Sequence, residues 1–69
     1  MAEALSNRLH ALRTERGLTQ AALAELAGVT RKTINTVENG VFVPSTTLAL
    51  GLARALGVTV EALFCLAPD

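Results

Sequence analysis

Polar side chains that can hydrogen-bond to base edges recur at helical spacing between residues 31 and 39. At about 100° per residue, Lys32, Asn35 and Thr36 lie opposite the apolar Ile34 and Val37 on a helix covering this segment. Lysine donates to guanine O6 and N7, asparagine can pair with adenine, and the threonine methyl can contact the thymine methyl. This face therefore has the chemistry needed to read base pairs in a major groove.

Four more side chains extend this candidate surface. Arg31 projects from the helix tip, Thr33 lies on its flank, and Asn39 points the same way at the helix end. Gln20 opens the preceding helix, where its side chain and the free backbone N–H groups can bind one phosphate. The alternative for Gln20 is an ordinary polar helix start, and the alternative for the whole face is a solvated surface of a small bundle.

The segment 19–40 must position these side chains, and it contains two short helical patterns joined at Gly28. Thr19 and Thr30 each precede a helical pattern, and their hydroxyls can accept a hydrogen bond from the first turn. Gly28 can adopt a positive φ without a side-chain penalty. A turn this short fixes the angle between the helices, so the pattern predicts a helix-turn-helix whose second helix enters the major groove.

The rest of the chain predicts three further helices and a loop. Residues 1–5 are expected to fray, Ser6 to cap a first helix that ends at Gly17, and Ser45 and Thr59 to cap the fourth and fifth helices. In the loop before Ser45, the side chain of Phe42 is expected to point inward. Apolar residues at helical spacing give the predicted core, which consists of Leu5, Leu9, Leu12, Leu23, Leu26, Ala27, Leu48, Leu52, Ala53, Leu56, Leu63 and Phe64.

The order of these residues resembles the Cro/C1-type helix-turn-helix of the XRE family of bacterial and phage regulators, from about residue 7 to 64. That family has a glutamine opening the first motif helix, a small residue four later, a turn glycine and apolar residues at set positions, here Gln20, Ala24, Gly28, Val29, Ile34 and Val37. The family's ENG, PS and ALGV segments stand at 38–40, 44–45 and 55–58. The resemblance implies one DNA-binding domain over 1–69, with a recognition helix at about 31–38.

The resemblance also implies particular contacts. An arginine at the place of Arg13 pairs in the family with the glutamate of ENG, here Glu38, whereas the alternative is a surface arginine worth under about 1 kcal/mol. The family's glutamine at the place of Gln20 often also supports a recognition-helix residue. Related domains lay the following loop along the DNA backbone, but this chain carries Val41 and Val43 where many relatives carry Lys or Arg. That difference weakens the expected attraction to phosphate.

Length and composition favour a single small all-α domain, and the resemblance implies a compact five-helix bundle of the lambda-repressor-like type. The 69 residues are 51% hydrophobic and 3% aromatic, and no strand-like alternation persists. Six basic and six acidic residues cancel, which argues mildly against DNA binding. No acid lies between Leu26 and Val37, so the candidate surface itself is basic. We expect a shallow salt dependence, because few phosphates are neutralised.

Several classes of protein are disfavoured. His10 has no Cys or His partner at ligand spacing, so neither a metal nor a cofactor is expected. The sequence has no paired carboxylates, no nucleophile with a base and no glycine-rich phosphate loop. It therefore does not predict an enzyme. One cysteine, no signal peptide and no membrane-spanning run predict a cytoplasmic protein without membrane contact.

Three apolar residues near the carboxyl end, Val60, Cys65 and Leu66, have no place in the predicted helix stripes. They predict a homodimer interface, and a two-fold dimer would set two recognition helices about 34 Å apart. The alternative is that Cys65 and Leu66 close the core.

The favoured function is a sequence-specific transcriptional regulator, a repressor that binds double-stranded DNA at an inverted-repeat operator, with a protein partner able to modulate it. The alternative is a protein-interaction module that keeps the fold without the DNA role.

Overall fold

The computed structural model describes residues 4–41 and 43–67, and within them the chain forms five helices and one pair of short strands. Phe42 and residues 1–3 lie outside the described part, as do the expectations placed on them. The predicted all-α class is confirmed, with the strand pair as a minor addition. The elements in order are β1 (Ala4–Asn7), α1 (Leu9–Glu15), α2 (Gln20–Ala27), α3 (Arg31–Glu38), α4 (Thr46–Leu56), α5 (Val60–Leu63) and β2 (Phe64–Ala67).

Four helices begin at the hydroxyl residues that the sequence predicts. In each, the side-chain oxygen accepts a hydrogen bond from the backbone N–H three residues later, which satisfies a donor that the first helical turn leaves unpaired. Such a cap contributes typically about 1 kcal/mol. The capping residues are Thr19, Thr30, Ser45 and Thr59.

The predicted start of the first helix is wrong. Ser6 lies in β1 and does not cap α1, and Leu5 is 39% exposed rather than buried. Asn7 supplies the polar contact instead, because its Oδ1 accepts a hydrogen bond from the backbone N–H of Leu9 at 3.1 Å. Residues 4–7 are extended because β2 satisfies their backbone groups in an antiparallel pair, so a non-local pairing overrides a locally helix-compatible sequence.

One face of this strand pair continues past the helical bundle. Leu5 pairs with Leu66, and Asn7 pairs with Phe64, so these four side chains share one face. Phe64 is buried and Asn7 is half-buried, whereas Leu66 is 61% exposed. An isolated two-stranded ribbon is marginally stable in water, so the buried end at Phe64 fixes the pair to the bundle.

The core takes one fully buried side chain from every helix, namely Leu9, Leu23, Ile34, Leu52 and Leu63. Leu12, Ala24, Val37, Ala53, Leu56 and Phe64 complete it. One further core prediction is wrong, because Leu26 is 61% exposed. The buried stripe of α2 runs through Leu23, Ala24 and Ala27, and this turns position 26 toward solvent.

Gly51 is expected to be replaceable by alanine with a gain in stability. It lies inside α4 without a positive φ, and a Cβ built there meets nothing within 4 Å. Alanine should therefore add about 1 kcal/mol through helix propensity. Gly28 is the matched control, because its φ of +73° strains any side chain in an equally open space. Urea unfolding should show Gly51→Ala stabilised and Gly28→Ala destabilised; a loss of stability in Gly51→Ala would contradict this account of α4.

Candidate nucleic-acid interface

The turn between α2 and α3 presents one face of α3 to solvent. Gly28 ends α2 in a left-handed conformation, and the backbone N–H of Val29 donates to the carbonyl of Ala24 at 2.9 Å. Ala24 is 3% exposed, which lets the two helices pack closely. Ile34 and Val37 are buried at 0% and 1%, so the opposite face of α3 must point outward.

The structure brings the seven candidate DNA-contacting residues to this region with different degrees of exposure. Thr36 uses its hydroxyl proton within α3, because Oγ1 donates to the carbonyl oxygen of Thr33 at 3.0 Å. Arg31, Lys32 and Asn39 are exposed, whereas Gln20, Thr33, Asn35 and Thr36 are half-buried. The exposed cations therefore stand at the amino end of α3, beside a rim of shorter polar side chains.

A buried ion pair joins α1 to the carboxyl end of α3. Nε of Arg13 contacts Oε2 of Glu38, and Nη2 lies 3.2 Å from Oε1. The side chains are only 10% and 5% exposed. Nη1 of Arg13 also donates to the carbonyl oxygen of Leu18 at 2.8 Å. The guanidinium therefore holds three parts of the fold together: α1, the link into α2, and the end of α3.

Glu38 is the acceptor for several groups besides Arg13. Nε2 of Gln20 donates to its Oε1 at 3.1 Å, and Nδ1 of the exposed His10 lies 3.4 Å from the same oxygen. Burial raises the pKa of Glu38, but the hydrogen bonds from Arg13, Gln20 and His10 together with the Arg13 charge outweigh it, so the pKa lies below its ordinary value. The carboxylate hydrogen bond raises the pKa of Arg13 more than burial lowers it.

Gln20 connects this ion pair to the outer face of α3. Its Nε2 also donates to Oδ1 of Asn35 at 3.2 Å, and its Oε1 accepts from Nη1 of Arg31 at 3.2 Å. Both polar atoms of the amide are therefore engaged by α3. The family resemblance implied support of the recognition helix, but the particular partners depend on side-chain rotamers that no sequence pattern specifies.

Sequence reasoning missed Asn7 as a support for α3. Its Nδ2 donates to the backbone carbonyl of Val37 at 3.1 Å, while its Oδ1 holds the start of α1. A bidentate link of this kind fixes α1 against the recognition helix. An asparagine just before a helix is a capping signal, and that signal was assigned to Ser6 instead.

The predicted dimer residues lie at a second surface, next to a shallow apolar groove. Val60 is half-buried and lines the groove, whereas Cys65 and Leu66 are exposed on β2. The groove has a volume of about 360 Å³ and carries no charged side chain. We call it the apolar groove. The residues that line it are Leu5, Val43, Pro44, Thr46, Ala49, Leu50, Val60 and Phe64.

Within 4–41 and 43–67, no three His, Cys, Asp or Glu side chains come together in a way that could hold a metal ion. None of the helices in that part of the chain combines the length and the apolar character needed to cross a membrane.

Residues 9–63 match the helix-turn-helix family HTH_3. The chain belongs to this family, and the predicted Cro/C1-type resemblance is thereby confirmed. An HTH-type transcriptional regulator of Methanothermobacter thermautotrophicus is 52% identical over 58 residues, which are 83% of this chain and 84% of the relative. The HTH-type transcriptional regulator YgzD of Bacillus subtilis is 39% identical over 62 residues, covering 90% and 94% of the two chains.

Solved structures give the same grouping. The restriction-modification controller protein C.AhdI of Aeromonas hydrophila has a TM-score of 0.77 at 40% identity, covering 80% of this chain and 83% of that one. The P22 c2 repressor, solved in complex with a synthetic operator, has a TM-score of 0.76 at 30% identity, covering 78% and 82%. The family and these neighbours indicate a regulator rather than an enzyme.

Proposed function

We propose that this protein is a sequence-specific DNA-binding transcriptional regulator, a repressor that binds an inverted-repeat operator as a homodimer with α3 in the major groove. The observation that carries the proposal is the outward polar face of α3, held by the buried ion pair at one end and by the Gly28 turn at the other. Repression would follow from occupying a promoter and excluding RNA polymerase. The proposal places the protein in the cytoplasm, with access to the chromosome.

Each candidate residue has a role in this proposal. Arg31, Lys32, Asn35 and Thr36 contact base edges, because their side chains supply donors and a methyl group at the front of α3. Thr33 and Asn39 contact phosphates or sugars and set the register of α3 in the groove. The predicted phosphate contact of Gln20 is replaced by support of α3, because both of its NH₂ protons are donated to Asn35 and Glu38. Backbone N–H groups at the start of α2 add to the phosphate contact.

The zero net charge of the chain is compatible with this role. Arg31 and Lys32 are exposed on α3, whereas the one acid of that helix, Glu38, is buried against Arg13. The local potential at the candidate surface is therefore positive even though the charges of the whole chain cancel. A gel shift with duplexes selected from a random pool, compared with random duplex at two salt concentrations, tests the proposal; equal binding of both duplexes would contradict it.

The proposed homodimer uses the apolar groove and the exposed part of β2. A two-fold interface brings the same patch of each subunit together, so an uncharged patch avoids opposing like charges. Leu5, Val43, Leu50 and Leu66 are large apolar residues between 39% and 73% exposed, and three of them line the groove. The proposed contact residues remain Val60, Cys65 and Leu66. To these the proposal adds the residues that line the apolar groove.

Replacing Leu66 with lysine is expected to weaken this dimer by at least tenfold in dissociation constant, because a charge would be buried in an apolar contact. Leu26→Lys is the matched control, since Leu26 is equally exposed, at 61%, and lies on α2, outside both the groove and β2. Sedimentation equilibrium over a concentration series measures both. A wild-type protein that stays monomeric, or two variants that dissociate alike, would contradict the proposed interface.

The apolar groove also supports a second candidate function, a protein-interaction module whose partner is another protein rather than DNA. The neutral net charge is its second support. In that case the gel shift would detect no preference for any duplex at low or moderate salt. A modulating protein partner of a DNA-binding regulator could use the same groove in competition with the second subunit.

A further inference from the structure

We propose that Gln20 is a positioning residue that fixes the amide of Asn35 with its NH₂ group facing outward, so that Asn35 selects a base with an acceptor edge. This inference rests on the proposed function, because it assumes that α3 reads DNA. It goes further by stating which hydrogen-bonding character one position of α3 presents.

The orientation of the Gln20 amide is fixed from two sides. Glu38 is a carboxylate that can only accept, so the group 3.1 Å from its Oε1 must be the NH₂ of Gln20. Arg31 is a guanidinium that can only donate, so the group 3.2 Å from its Nη1 must be the carbonyl oxygen of Gln20. If the amide were rotated, its oxygen would face the Glu38 oxygen, so that two acceptors would meet. Its NH₂ group would face the Arg31 guanidinium, so that two donors would meet.

The orientation of the Gln20 amide determines that of Asn35. The NH₂ of Gln20 has two protons, of which one goes to Glu38 and the other to Asn35 at 3.2 Å. The atom of Asn35 facing Gln20 must therefore be its carbonyl oxygen, since two NH₂ groups would repel each other. In the described part of the chain, Nδ2 of Asn35 makes no hydrogen bond. Its two protons are thus left for a ligand.

An outward-facing NH₂ group can contact only a base that presents an acceptor. Guanine presents N7 and O6 as acceptors in the major groove, adenine presents N7, and thymine presents O4. Cytosine presents only the N4 amino donor there. A fixed outward NH₂ therefore accepts guanine, adenine or thymine at the contacted position and rejects cytosine. A freely rotating asparagine could turn its oxygen to cytosine and would lose this discrimination.

The variant Asn35→Asp tests the orientation with a minimal change. Aspartate keeps an acceptor toward Nε2 of Gln20 and replaces the outward NH₂ with a second acceptor. It also adds a negative charge, which should weaken binding to all duplexes alike, so the readout is the base preference and not the affinity. Selection of duplexes from a random pool, followed by sequencing, should show one base in the wild-type motif replaced by cytosine, with the other positions retained. The preference at that position should change by at least about tenfold.

The variant Gln20→Met tests the positioning role separately. Methionine fills similar space but cannot hold the amide of Asn35, so cytosine should become tolerated at that same position while the rest of the motif remains. The conservative variant Asn35→Gln is compared with Gln20→Met. It keeps an amide at position 35, but the longer side chain carries that amide away from the position that Gln20 holds. A motif that is unchanged in both Asn35→Asp and Gln20→Met would overturn the inference while leaving the proposed function intact.

A readout without DNA separates the two proposals. Gln20 is the only glutamine of the chain, so its side-chain NH₂ gives the only glutamine pair of NMR proton resonances. We expect slow hydrogen exchange at Gln20 and fast exchange at the NH₂ groups of Asn35 and the exposed Asn39. Fast exchange at Gln20 overturns the inference whatever the DNA result. A wild-type protein that selects no motif contradicts the proposed function, and the exchange rates still decide the orientation of Gln20.

Discussion

Replacing Arg13 with methionine should lower the free energy of unfolding by about 3–5 kcal/mol, which is the usual loss when one partner of a buried ion pair is removed. The change leaves Glu38 in a site where its side chain is 5% exposed, without its main partner. A domain of this size has a total stability of roughly 3–10 kcal/mol. The variant should therefore be close to unfolding at room temperature, as measured by urea titration with circular dichroism.

Two control variants separate the buried charge from lost packing. Arg13→Met combined with Glu38→Met should recover most of the loss, because neither charge remains to be buried. Arg8→Met removes one partner of an exposed pair with Glu15, in which both side chains are 59% exposed. That change should cost less than about 1 kcal/mol. A loss as small for Arg13→Met as for Arg8→Met would contradict the role assigned to the pair.

The same pair gives the stability a defined dependence on pH. The pKa of Glu38 in the folded protein lies below its ordinary value of 4.5, so the folded state binds this proton less readily than the unfolded state. Its contribution is fully present above the ordinary pKa and is lost as the pH falls through the lowered pKa. The difference between wild type and Arg13→Met should be largest near neutral pH and shrink as the pH falls and Glu38 becomes protonated, first in the variant and then in the wild type. A difference that grows in acid would contradict it.

Replacing Lys32 and Thr36 together with alanine should sharply reduce preference for the selected duplex while the fold survives. Lys32 is exposed and Thr36 is half-buried on the outer face of α3, and neither belongs to the core. A good bidentate contact to a base contributes about 1–3 kcal/mol of discrimination. Losing the Lys32 contact together with the Thr36 methyl contact should therefore reduce the ratio of specific to random binding by at least about fivefold per subunit, measured by fluorescence anisotropy.

The matched control for this double variant is Arg54→Ala. Arg54 is an exposed cation in the last turn of α4, away from α3, so its removal changes the net charge as Lys32→Ala does. Random and specific duplex should lose affinity equally in this variant, with the ratio preserved. Thermal unfolding must be near the wild-type value in both proteins. An unchanged ratio in the Lys32 and Thr36 double variant would remove these residues from the proposed reading surface.

Local signals account for most of the fold that could be predicted from the sequence. Thr19, Thr30, Ser45 and Thr59 are caps whose chemistry lies within one turn of the residue itself, so a single sequence is enough to identify them. The strand pair could not be predicted in this way. β1 and β2 lie at opposite ends of the described chain, and residues 4–7 carry no alternation that would distinguish them from a helix start.

The candidate site likewise has features that the sequence predicts and features that it does not. The outward face of α3 follows from helical periodicity, because burial of Ile34 and Val37 determines which side chains point to solvent. The ion pair between Arg13 and Glu38 was implied by resemblance and not by spacing, and the structure places the two side chains in contact. The hydrogen bonds from Gln20 to Asn35 could not be predicted, since they depend on amide orientations set by Glu38.

The central claim is that α3 enters the major groove, and a crystal structure of the protein with a duplex selected from a random pool tests it most directly. The account predicts two subunits with their α3 helices about one turn of DNA apart, with Lys32, Asn35 and Thr36 within hydrogen-bonding or van der Waals distance of base edges. A complex in which α3 faces its own partner subunit, or in which DNA contacts another surface, would contradict it.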